Sequence, residues 1–323
     1  MNVAHTRANM SNSDPGGRSP RENESPGVSP ARIWLTGARP RTLPAAVVPV
    51  AVGTAVAATD GTVVWWRAAL ALVVSLALQV SVNYANDYSD GVRGTDDVRV
   101  GPIRLVASGL ASPAAVKRAA LLAGAVGAVA GAALALVTTP WVFLVGFAAL
   151  VSAWTYTGGP KPYGYIGLGE LFVFVFFGLA AVVGSTFVQR EHLLGLSWAA
   201  AVPVGLLAVA LLLVNNLRDI PGDTIAGKRT LAVRIGAPGT RSLYAMAVLL
   251  PLALLPVLMA FDGGSPWVLI GLAAVVAVLA PLRVVSEGAQ GRSLIAALAG
   301  TGRYQLVYGL LLSFGLLIGV WTE

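Results

Sequence analysis

The amino-acid sequence predicts an all-α integral membrane protein with nine transmembrane helices. The first observation is composition: the 323 residues are 56% hydrophobic and 11% charged, whereas a soluble domain has about 25% charged residues. The second is the recurrence of long uncharged segments after about residue 40, and the third is the concentration of basic residues in every second connection. Together they leave no room for a large soluble domain.

Nine apolar segments are long enough to be candidate spans, because about 18 nearly uncharged residues cross a bilayer as a helix. They cover residues 42–59, 66–86, 113–137, 140–157, 168–188, 197–217, 241–261, 265–282 and 303–320. Short turns at 138–140 and 262–265 alternate with longer polar loops, which we place at 87–112, 158–167, 218–240 and 283–302. The longer loops therefore lie on one side of the membrane.

The distribution of Lys and Arg orients this arrangement, because cytoplasmic loops carry an excess of both. With a cytoplasmic N-terminus and an outside C-terminus, 20 of the 22 Lys and Arg residues lie inside, and only Arg67 and Arg190 lie outside. We expect a multi-pass protein of the cell (plasma) membrane. Topology accounts for most of the net charge of +7, so no nucleic-acid partner is indicated.

Residues 1–30 are polar and lack an apolar run, which predicts a disordered cytoplasmic tail followed by one membrane domain over 31–323. A start codon assigned too far upstream would produce the same composition. The chain has no cysteine and two histidines. These counts exclude disulfides, thiolate metal sites and cysteine nucleophiles, and they argue against a histidine metal site.

Acidic residues are concentrated in two motifs after the second and sixth apolar segments. The first motif is NYANDYSDGVRGTDD (83–97) and the second is NNLRDIPGDTIAGKRT (215–230). Asn83, Asp87 and Asp90 are spaced i, i+4, i+7, which predicts one helical face if the helix continues. Asp219 and Asp223 are four residues apart, although we expect Pro221 and Gly222 to bend the chain between them.

These motifs predict a site for Mg²⁺ and a phosphorylated substrate. Clustered carboxylates near an apolar core repel one another, and Mg²⁺ is commonly held by one or two carboxylates together with substrate phosphates. Arg and Lys side chains interleaved with the acids suit a diphosphate leaving group, whose developing negative charge must be stabilised. The alternative is that the cations only set topology and that the first motif is a helix cap.

At these residues the sequence resembles the UbiA-type intramembrane prenyltransferases over about residues 32–320. The resemblance is carried by NDYSD (86–90) and DIPGD (219–223). Within this family, the sequence most resembles the branch that prenylates 1,4-dihydroxy-2-naphthoate in menaquinone biosynthesis. That branch is indicated by YTGGPKPYGYIGLGE (156–170) and by NNLRDIPGDTIAGKRTLAVRIG (215–236). One departure concerns the third aspartate of the first motif, since Gly94 stands four residues after Asp90 and Asp96 follows two further on.

The resemblance implies a helical bundle around a central cavity with a cytoplasmic cap made by loops 2–3 and 6–7. It also implies a Mg²⁺-dependent reaction in which a polyprenyl diphosphate prenylates 1,4-dihydroxy-2-naphthoate, releasing diphosphate and carbon dioxide. The predicted catalytic residues are Asp87, Asp90, Asp219, Asp223 and Lys228, and the four aspartates are the predicted metal ligands. The predicted substrate-binding residues are Asn83, Asn86, Arg41, Arg93, Arg104, Lys161, Tyr163, Asn215 and Arg229.

Two alternatives remain open at this stage. The same chemistry on another acceptor, such as homogentisate, hydroxybenzoate, haem or a phosphoribosyl group, would need the same acid motifs. An ion-coupled transporter would also carry acids near membrane helices, but its site lies near the bilayer midplane on broken helices. Residue Glu170 is interpreted as an acid favourably placed at a helix N-terminus. The base that deprotonates the naphthol is not identified by the sequence, and Tyr163 is one candidate.

Overall fold

The computed structural model describes residues 29–95, 101 and 103–322, and every regular element in that part of the chain is a helix. The α-helices are α1 (Pro30–Ala38), α2 (Pro44–Ala58), α3 (Trp65–Val92), α4 (Pro113–Val137), α5 (Trp141–Thr155), α6 (Gly169–Val173), α7 (Ala181–Arg190), α8 (Gly195–Ile225), α9 (Leu231–Ala253), α10 (Leu255–Leu258), α11 (Val275–Ser286) and α12 (Ser293–Thr322). Short 3₁₀-helices cover Pro40–Thr42, Tyr163–Ile166 and Pro266–Ala274, and a π-helix over Phe174–Ala180 joins α6 to α7.

Among the described residues, six helices are long and apolar enough to cross a membrane, or seven if the bent pair α1–α2 forms one span. The bend between α1 and α2 is 53°. It begins at Arg39, whose φ of 54° is left-handed and ends α1, and Pro40 follows. The helix α5 is also apolar but shorter. The chain is therefore a multi-pass membrane protein built from helices.

The helices extend further than the apolar segments predict. Helix α3 continues to Val92 and α8 to Ile225, so part of the polar sequence expected in loops 87–112 and 218–240 is helical. Helix α8 passes through Pro221 and Gly222 without ending, so Asp219 and Asp223 are on one continuous helix. Proline removes one helical hydrogen bond; Pro221 lies in the penultimate turn.

The helix ends form two polar surfaces. The site end is the surface where α3 ends at Val92 and α8 ends at Ile225, and the opposite end is the surface where these helices begin at Trp65 and Gly195. The opposite end is held by ion pairs from Arg67 to Glu191 (2.7 Å) and from Arg190 to Asp60 (3.0 Å), and His192 lies 3.1 Å from Asp60. Six exposed tryptophans begin or end helices there: Trp65, Trp66, Trp141, Trp198, Trp267 and Trp321. Exposed tryptophan is typical of a membrane–water interface.

The largest buried apolar cluster lies where α2, α8, α9 and α12 pack together. Its three fully buried tyrosines each have a hydroxyl partner: Tyr244 bonds Thr301 (2.8 Å), Tyr304 donates to Val248 O (2.8 Å) and Tyr308 donates to Pro251 O (2.9 Å). These bonds satisfy polar groups that would be costly to bury alone and fix α9 against α12.

The π-helix packs very closely against α8. A methyl group added at Gly178 would lie 2.7 Å from the Cα atom of Gly205, so neither side chain can grow without separating the two helices. Short π segments inside α-helices are often found at functional sites. This one lies along the cavity described next.

Candidate active site

A cavity of about 1440 Å³ runs from the site end along the interior of the bundle. Its polar end is lined by side chains from both acid motifs and their neighbours: Asn83, Asn86, Asp90, Arg104, Asn215, Arg218, Asp219, Asp223 and Lys228. Its apolar length is lined by α3, α5 and the α6–α7 region and reaches Trp141, Leu193 and Trp198 near the opposite end. One cavity thus joins a charged end to a long apolar channel.

Asp90 has more side-chain partners than Asp87, the other acid of the first motif that the structure describes. It is 4% exposed, and its Oδ1 accepts hydrogen bonds from Lys228 Nζ (2.9 Å) and from the Tyr165 hydroxyl (2.6 Å). Its Oδ2 lies 3.8 Å from the Arg104 guanidinium. Residues from α3 and from three separate loops therefore converge on this carboxylate.

Asp87 has a different environment. It is 1% exposed and is not among the residues that line the cavity. Its two carboxylate oxygens accept the backbone N–H groups of Leu105 and Val106, both at 2.9 Å. Helix α3 continues to Val92 and carries Asn83, Asp87 and Asp90 on one side as predicted, but only Asn83 and Asp90 line the cavity, whereas Asp87 bonds the loop after α3. Successive positions four apart rotate by about 40° on a helix, which is sufficient to turn Asp87 toward the loop.

The acids of the second motif lie on the last turns of α8. Asp219 accepts both Nε and Nη2 of Arg218 at 2.7 and 2.8 Å, a bidentate ion pair in which the guanidinium is buried. Asp223 lies one turn further and is 3.9 Å from Lys228 Nζ. Because the helix continues through Pro221, both acids line the cavity.

Lys228 connects the two motifs. Its ammonium lies between Asp90 and Asp223 and 4.6 Å from the centre of the Tyr165 ring. Burial lowers the pKa of Lys228, but the charge of Asp90, the nearby Tyr165 and Asp223 outweigh burial, so the pKa is raised. The residue carries a positive charge where one acid from each half of the chain meets.

Four predicted substrate-binding residues are not among those that line the cavity. Arg41, Lys161 and Arg229 are exposed, and Arg229 donates its backbone N–H to Tyr165 O. Arg93 donates to Thr157 O and to Gly159 O, the latter at 2.6 Å, and so fastens the loop after α5 to the end of α3. Asp96, Asp97 and Arg99 lie outside the described residues.

The other predicted residues line the polar end. Asn83 donates to Ala38 O (2.9 Å), Asn86 Oδ1 accepts from Thr157 Oγ1 (2.8 Å) and Asn215 donates to Leu211 O (3.2 Å). The Tyr163 hydroxyl bonds Ser152 Oγ at 2.8 Å, and burial raises the pKa of Tyr163 to about 12. Tyr163 is therefore a neutral phenol at physiological pH.

The residues that line the cavity without having been predicted as site residues include Arg39, Tyr165, Asn216 and Arg218. Tyr165 is in the motif that carries Tyr163, yet the sequence does not show which of the two contacts the acids. Arg218 and Asn216 are adjacent to predicted residues on α8. They lie on the cavity wall because of the rotation of α8 about its axis, which the sequence alone does not specify.

The cavity is open at its side between α5 and α6–α7. Helix α5 packs against α3 and α4, and its residues Trp141, Leu144 and Val145 line the cavity while remaining 72%, 56% and 49% exposed. On the other wall, Leu193 and Trp198 are likewise both cavity-lining and exposed. Part of the apolar channel is therefore lined by side chains that also reach the outer surface of the bundle.

Comparison with known proteins decides the family. Residues 46–297 match the UbiA prenyltransferase family. The chain belongs to this family. A solved UbiA homologue from Archaeoglobus fulgidus, bound to GPP and Mg²⁺, has the same fold with a TM-score of 0.63, 15% identity and coverage of 87% of this chain and 99% of that one.

Curated members of the UbiA family are similar along nearly their whole length. A 1,4-dihydroxy-2-naphthoate octaprenyltransferase of Mycobacterium tuberculosis is 50% identical over 286 residues, covering 88% of this chain and 97% of the relative. The Escherichia coli protein of the same name is 34% identical over 309 residues, covering 91% and 98%. The resemblance inferred from the motifs is confirmed.

The UbiA fold implies a Mg²⁺ site, and the residues present fit one. Within the described chain no group of three or more His, Cys, Asp or Glu side chains is close enough to form a complete cage. The cavity instead brings Asp90 and Asp223 to a single cation, the ammonium of Lys228. Two carboxylates with open positions for phosphate oxygens are the set that Mg²⁺ prefers.

Proposed function

We propose that this UbiA-family protein transfers a polyprenyl group from a polyprenyl diphosphate to 1,4-dihydroxy-2-naphthoate. The products are demethylmenaquinol, diphosphate and carbon dioxide. The observation that carries the proposal is the single cavity in which acids and cations of both motifs meet at one end of an apolar channel open to the bilayer. The names of the curated relatives support the acceptor.

The polar end binds the diphosphate through the residues that line it. Lys228 and Arg104 supply positive charge directly beside Asp90, and Arg218 fixes the orientation of Asp219. We propose Asp90, Asp219 and Asp223 as the holders of Mg²⁺. Bound Mg²⁺ supplies Lewis-acid stabilisation of the charge that develops on the departing diphosphate.

Asp87 was predicted as a fourth metal ligand, and its contacts favour another role. Both of its oxygens are occupied by backbone N–H groups of Leu105 and Val106. We propose that Asp87 holds the loop that carries Arg104, and so positions that guanidinium over Asp90. Three acids beside a diphosphate carry more negative charge than one divalent ion neutralises, so we expect two Mg²⁺ ions.

The bond changes balance without a further reactant. The carbon–oxygen bond to diphosphate breaks and leaves an electron-poor allylic carbon, which the electron-rich naphthalene ring attacks. The carboxylate of the acceptor leaves as carbon dioxide, and its bonding electrons restore the aromatic ring. The prenyl tail occupies the apolar channel, where Phe172, Phe176 and Phe177 line the wall, while Phe174 packs against Gly205.

We further propose nine spans, with the site end in the cytoplasm, the N-terminus inside and the C-terminus outside. The tail over 1–30 and the single domain over 31–323 are part of the same proposal; residues 1–28 lie outside the described chain. Support comes from the charge distribution of the loops and from the exposed tryptophans at the opposite end. The loops after α3 and α8, which supply Arg104 and Lys228, would form the cytoplasmic cap.

The deciding experiment uses purified protein in lipid nanodiscs with one labelled polyprenyl diphosphate and a panel of acceptors. We expect Mg²⁺-dependent product with 1,4-dihydroxy-2-naphthoate and much less with homogentisate or hydroxybenzoate. Preference for another acceptor would replace the proposed substrate. Full activity in excess EDTA would refute the metal dependence, and the absence of prenyl transfer to every acceptor would refute the reaction.

A further inference from the structure

Glu170 is a buried acid that the proposed reaction does not use. It lies in the first turn of α6 and is 6% exposed. Its Oε1 accepts a hydrogen bond from Asn216 Nδ2 at 2.9 Å, while its Oε2 is buried without a hydrogen-bond partner among the described residues. The acid therefore has one neutral partner on α8.

This arrangement is not favourable for folding. A buried carboxylate with one amide partner has lost most of its hydration, and apolar residues of similar volume in such a place are often neutral or stabilising. The initial interpretation of Glu170 as an acid at a helix N-terminus does not explain its contact with Asn216. The contact instead constrains the orientation of the Asn216 amide.

Glu170 fixes which way the amide of Asn216 faces. The NH₂ group of Asn216 donates to Glu170 Oε1, so the amide Oδ1, which is bonded to the same carbon, points away from Glu170. Asn216 lines the cavity, and no hydrogen bond in the described chain uses its Oδ1. A hydrogen-bond acceptor is thus presented to the cavity in a fixed orientation.

The surrounding wall suits a flat aromatic ring. Phe172, two residues after Glu170, stacks on Tyr163 with ring centres 4.1 Å apart, and Tyr163 contacts Tyr156 edge-on at 5.4 Å. All three rings line the cavity with Asn216. A methyl group on Gly169 would lie 3.2 Å from the Tyr156 ring, which places the start of α6 directly against this aromatic wall.

We infer that Glu170 is a positioning residue that holds Asn216 so that its Oδ1 accepts a hydrogen bond from a hydroxyl of the aromatic acceptor. The inference rests on the proposed function and adds the determinant that recognises the acceptor hydroxyl. A phenolic O–H bonded to this oxygen becomes more electron-rich, and the ring is held in one orientation toward the allylic carbon. No proton needs to leave the acceptor at this contact.

The test compares Glu170→Leu, Glu170→Gln and Asn216→Leu in nanodiscs, with Glu287→Gln as a matched control. Glu287 is an exposed acid at the site end that pairs with Arg283. We expect Glu170→Leu and Asn216→Leu to raise KM for 1,4-dihydroxy-2-naphthoate about tenfold, the effect of one lost hydrogen bond. Inhibition by inorganic diphosphate should change less than about twofold.

The glutamine variant gives a graded result. Its side chain can still accept from Asn216, but it can also donate to Asn216 Oδ1 and so permits both amide orientations. We expect an intermediate KM. The double variant Glu170→Leu with Asn216→Leu should be no worse than either single variant, because both act on one interaction.

An acceptor whose hydroxyls are methyl ethers provides a readout in the unmodified protein. It cannot donate, so the wild type should bind it more weakly than the parent naphthoate, and the leucine variants should lose this discrimination. Equal wild-type affinity for both would overturn the inference even if every variant failed to fold. Unchanged KM in folded Glu170→Leu would also overturn it, whereas a wild type inactive on the naphthoate would refute the proposed function itself.

Discussion

We expect Asp→Asn to affect the three cavity-lining aspartates differently from Asp87, which bonds the loop after α3. Asn in place of Asp90, Asp219 or Asp223 keeps the shape but removes a charge, and we expect turnover to fall about a hundredfold or more. Asp87→Asn leaves one of two buried N–H groups without its acceptor, a cost of about 1–3 kcal/mol of folding stability. Kinetics at saturating Mg²⁺ and thermal unfolding of each variant separate the two effects.

The control for this prediction is internal to the first motif. Asp87 and Asp90 are three residues apart on α3, yet only Asp90 contacts Lys228 and Tyr165. A larger loss of turnover in Asp87→Asn than in Asp90→Asn, with both proteins folded, would show that the loop acid is the metal ligand. Near-normal Mg²⁺-dependent activity in both Asp90→Asn and Asp219→Asn would refute a Mg²⁺ site shared by the two acid motifs.

The cations of the polar end are expected to bind diphosphate rather than the acceptor. Lys228→Met and Arg104→Met should weaken inhibition by inorganic diphosphate along with turnover, because each loses a charge beside Asp90. Arg229→Met is the matched control, since Arg229 is adjacent to Lys228 in sequence but exposed and not among the cavity-lining residues. Unchanged diphosphate inhibition in Lys228→Met would contradict the assignment.

Tyr163 is expected to act through its ring and not as a base. Burial raises its pKa to about 12, so the phenol stays neutral over the physiological pH range. Below the ordinary tyrosine pKa of about 10, Tyr163 is protonated in both the folded and the unfolded chain, so its raised pKa does not change the free energy of unfolding. Above that pH, ionisation of the unfolded chain lowers the free energy of unfolding. Tyr163→Phe should therefore leave the pH–rate profile unchanged below that value.

The size of the effect distinguishes the two roles of Tyr163. Removing a general base typically costs about 10²–10⁴ in rate, whereas Tyr163→Phe keeps the ring that stacks on Phe172. We expect turnover to fall by less than about tenfold. Loss of the rise in rate with increasing pH in the variant would instead identify Tyr163 as the base.

At the scale of helices, the close contact between the π-helix and α8 makes a specific demand on sequence. Gly178→Ala would place a methyl 2.7 Å from the Cα of Gly205, whereas a methyl at Gly184, one turn into α7, meets nothing within 4 Å. We expect Gly178→Ala to lower the free energy of unfolding by about 1–3 kcal/mol, and Gly184→Ala to have little effect. Thermal unfolding in the same detergent makes the comparison, and equal stability of the two variants would contradict it.

The apolar parts of the helices could be predicted from the sequence, but their polar ends could not. Segment 113–137 matches α4, because the apolar run and the helix end together there. Helices α3 and α8 continue into Asn and Asp residues, since those side chains face a polar cavity and not the lipid. Hydropathy alone ends a span where its residues become polar, which is where this site begins.

The residues of the site were predicted as a group more successfully than their individual roles. Six of the seven predicted site residues on α3 and α8 line the cavity, because the two motifs do come together: Asn83, Asn86, Asp90, Asn215, Asp219 and Asp223. Spacing did not show that Asp87 bonds the loop after α3 or that Arg93 bonds the loop after α5. Both facts depend on where a loop crosses a helix end, which no local pattern encodes.

At the scale of the whole molecule, the orientation of the two ends can be measured cleanly because the sequence has no cysteine. Single cysteines at Lys161 and Glu287 report on the site end, and cysteines at Asp262 and Thr322 report on the opposite end. All four positions are exposed. Each variant is expressed in cells and treated with a maleimide reagent that does not cross membranes.

We expect Asp262→Cys and Thr322→Cys to be labelled in intact cells, and Lys161→Cys and Glu287→Cys only after the membrane is opened. The physical reason is that basic loops are retained in the cytoplasm, and most of the loop cations lie at the site end. This orientation also returns the released diphosphate to the cytoplasm while the prenylated ring remains in the bilayer through the opening beside α5. Labelling of Lys161→Cys and Thr322→Cys from the same side would contradict an odd number of spans between the site end and the C-terminus. Labelling of only Lys161→Cys and Glu287→Cys in intact cells would show that the protein has the opposite orientation in the membrane.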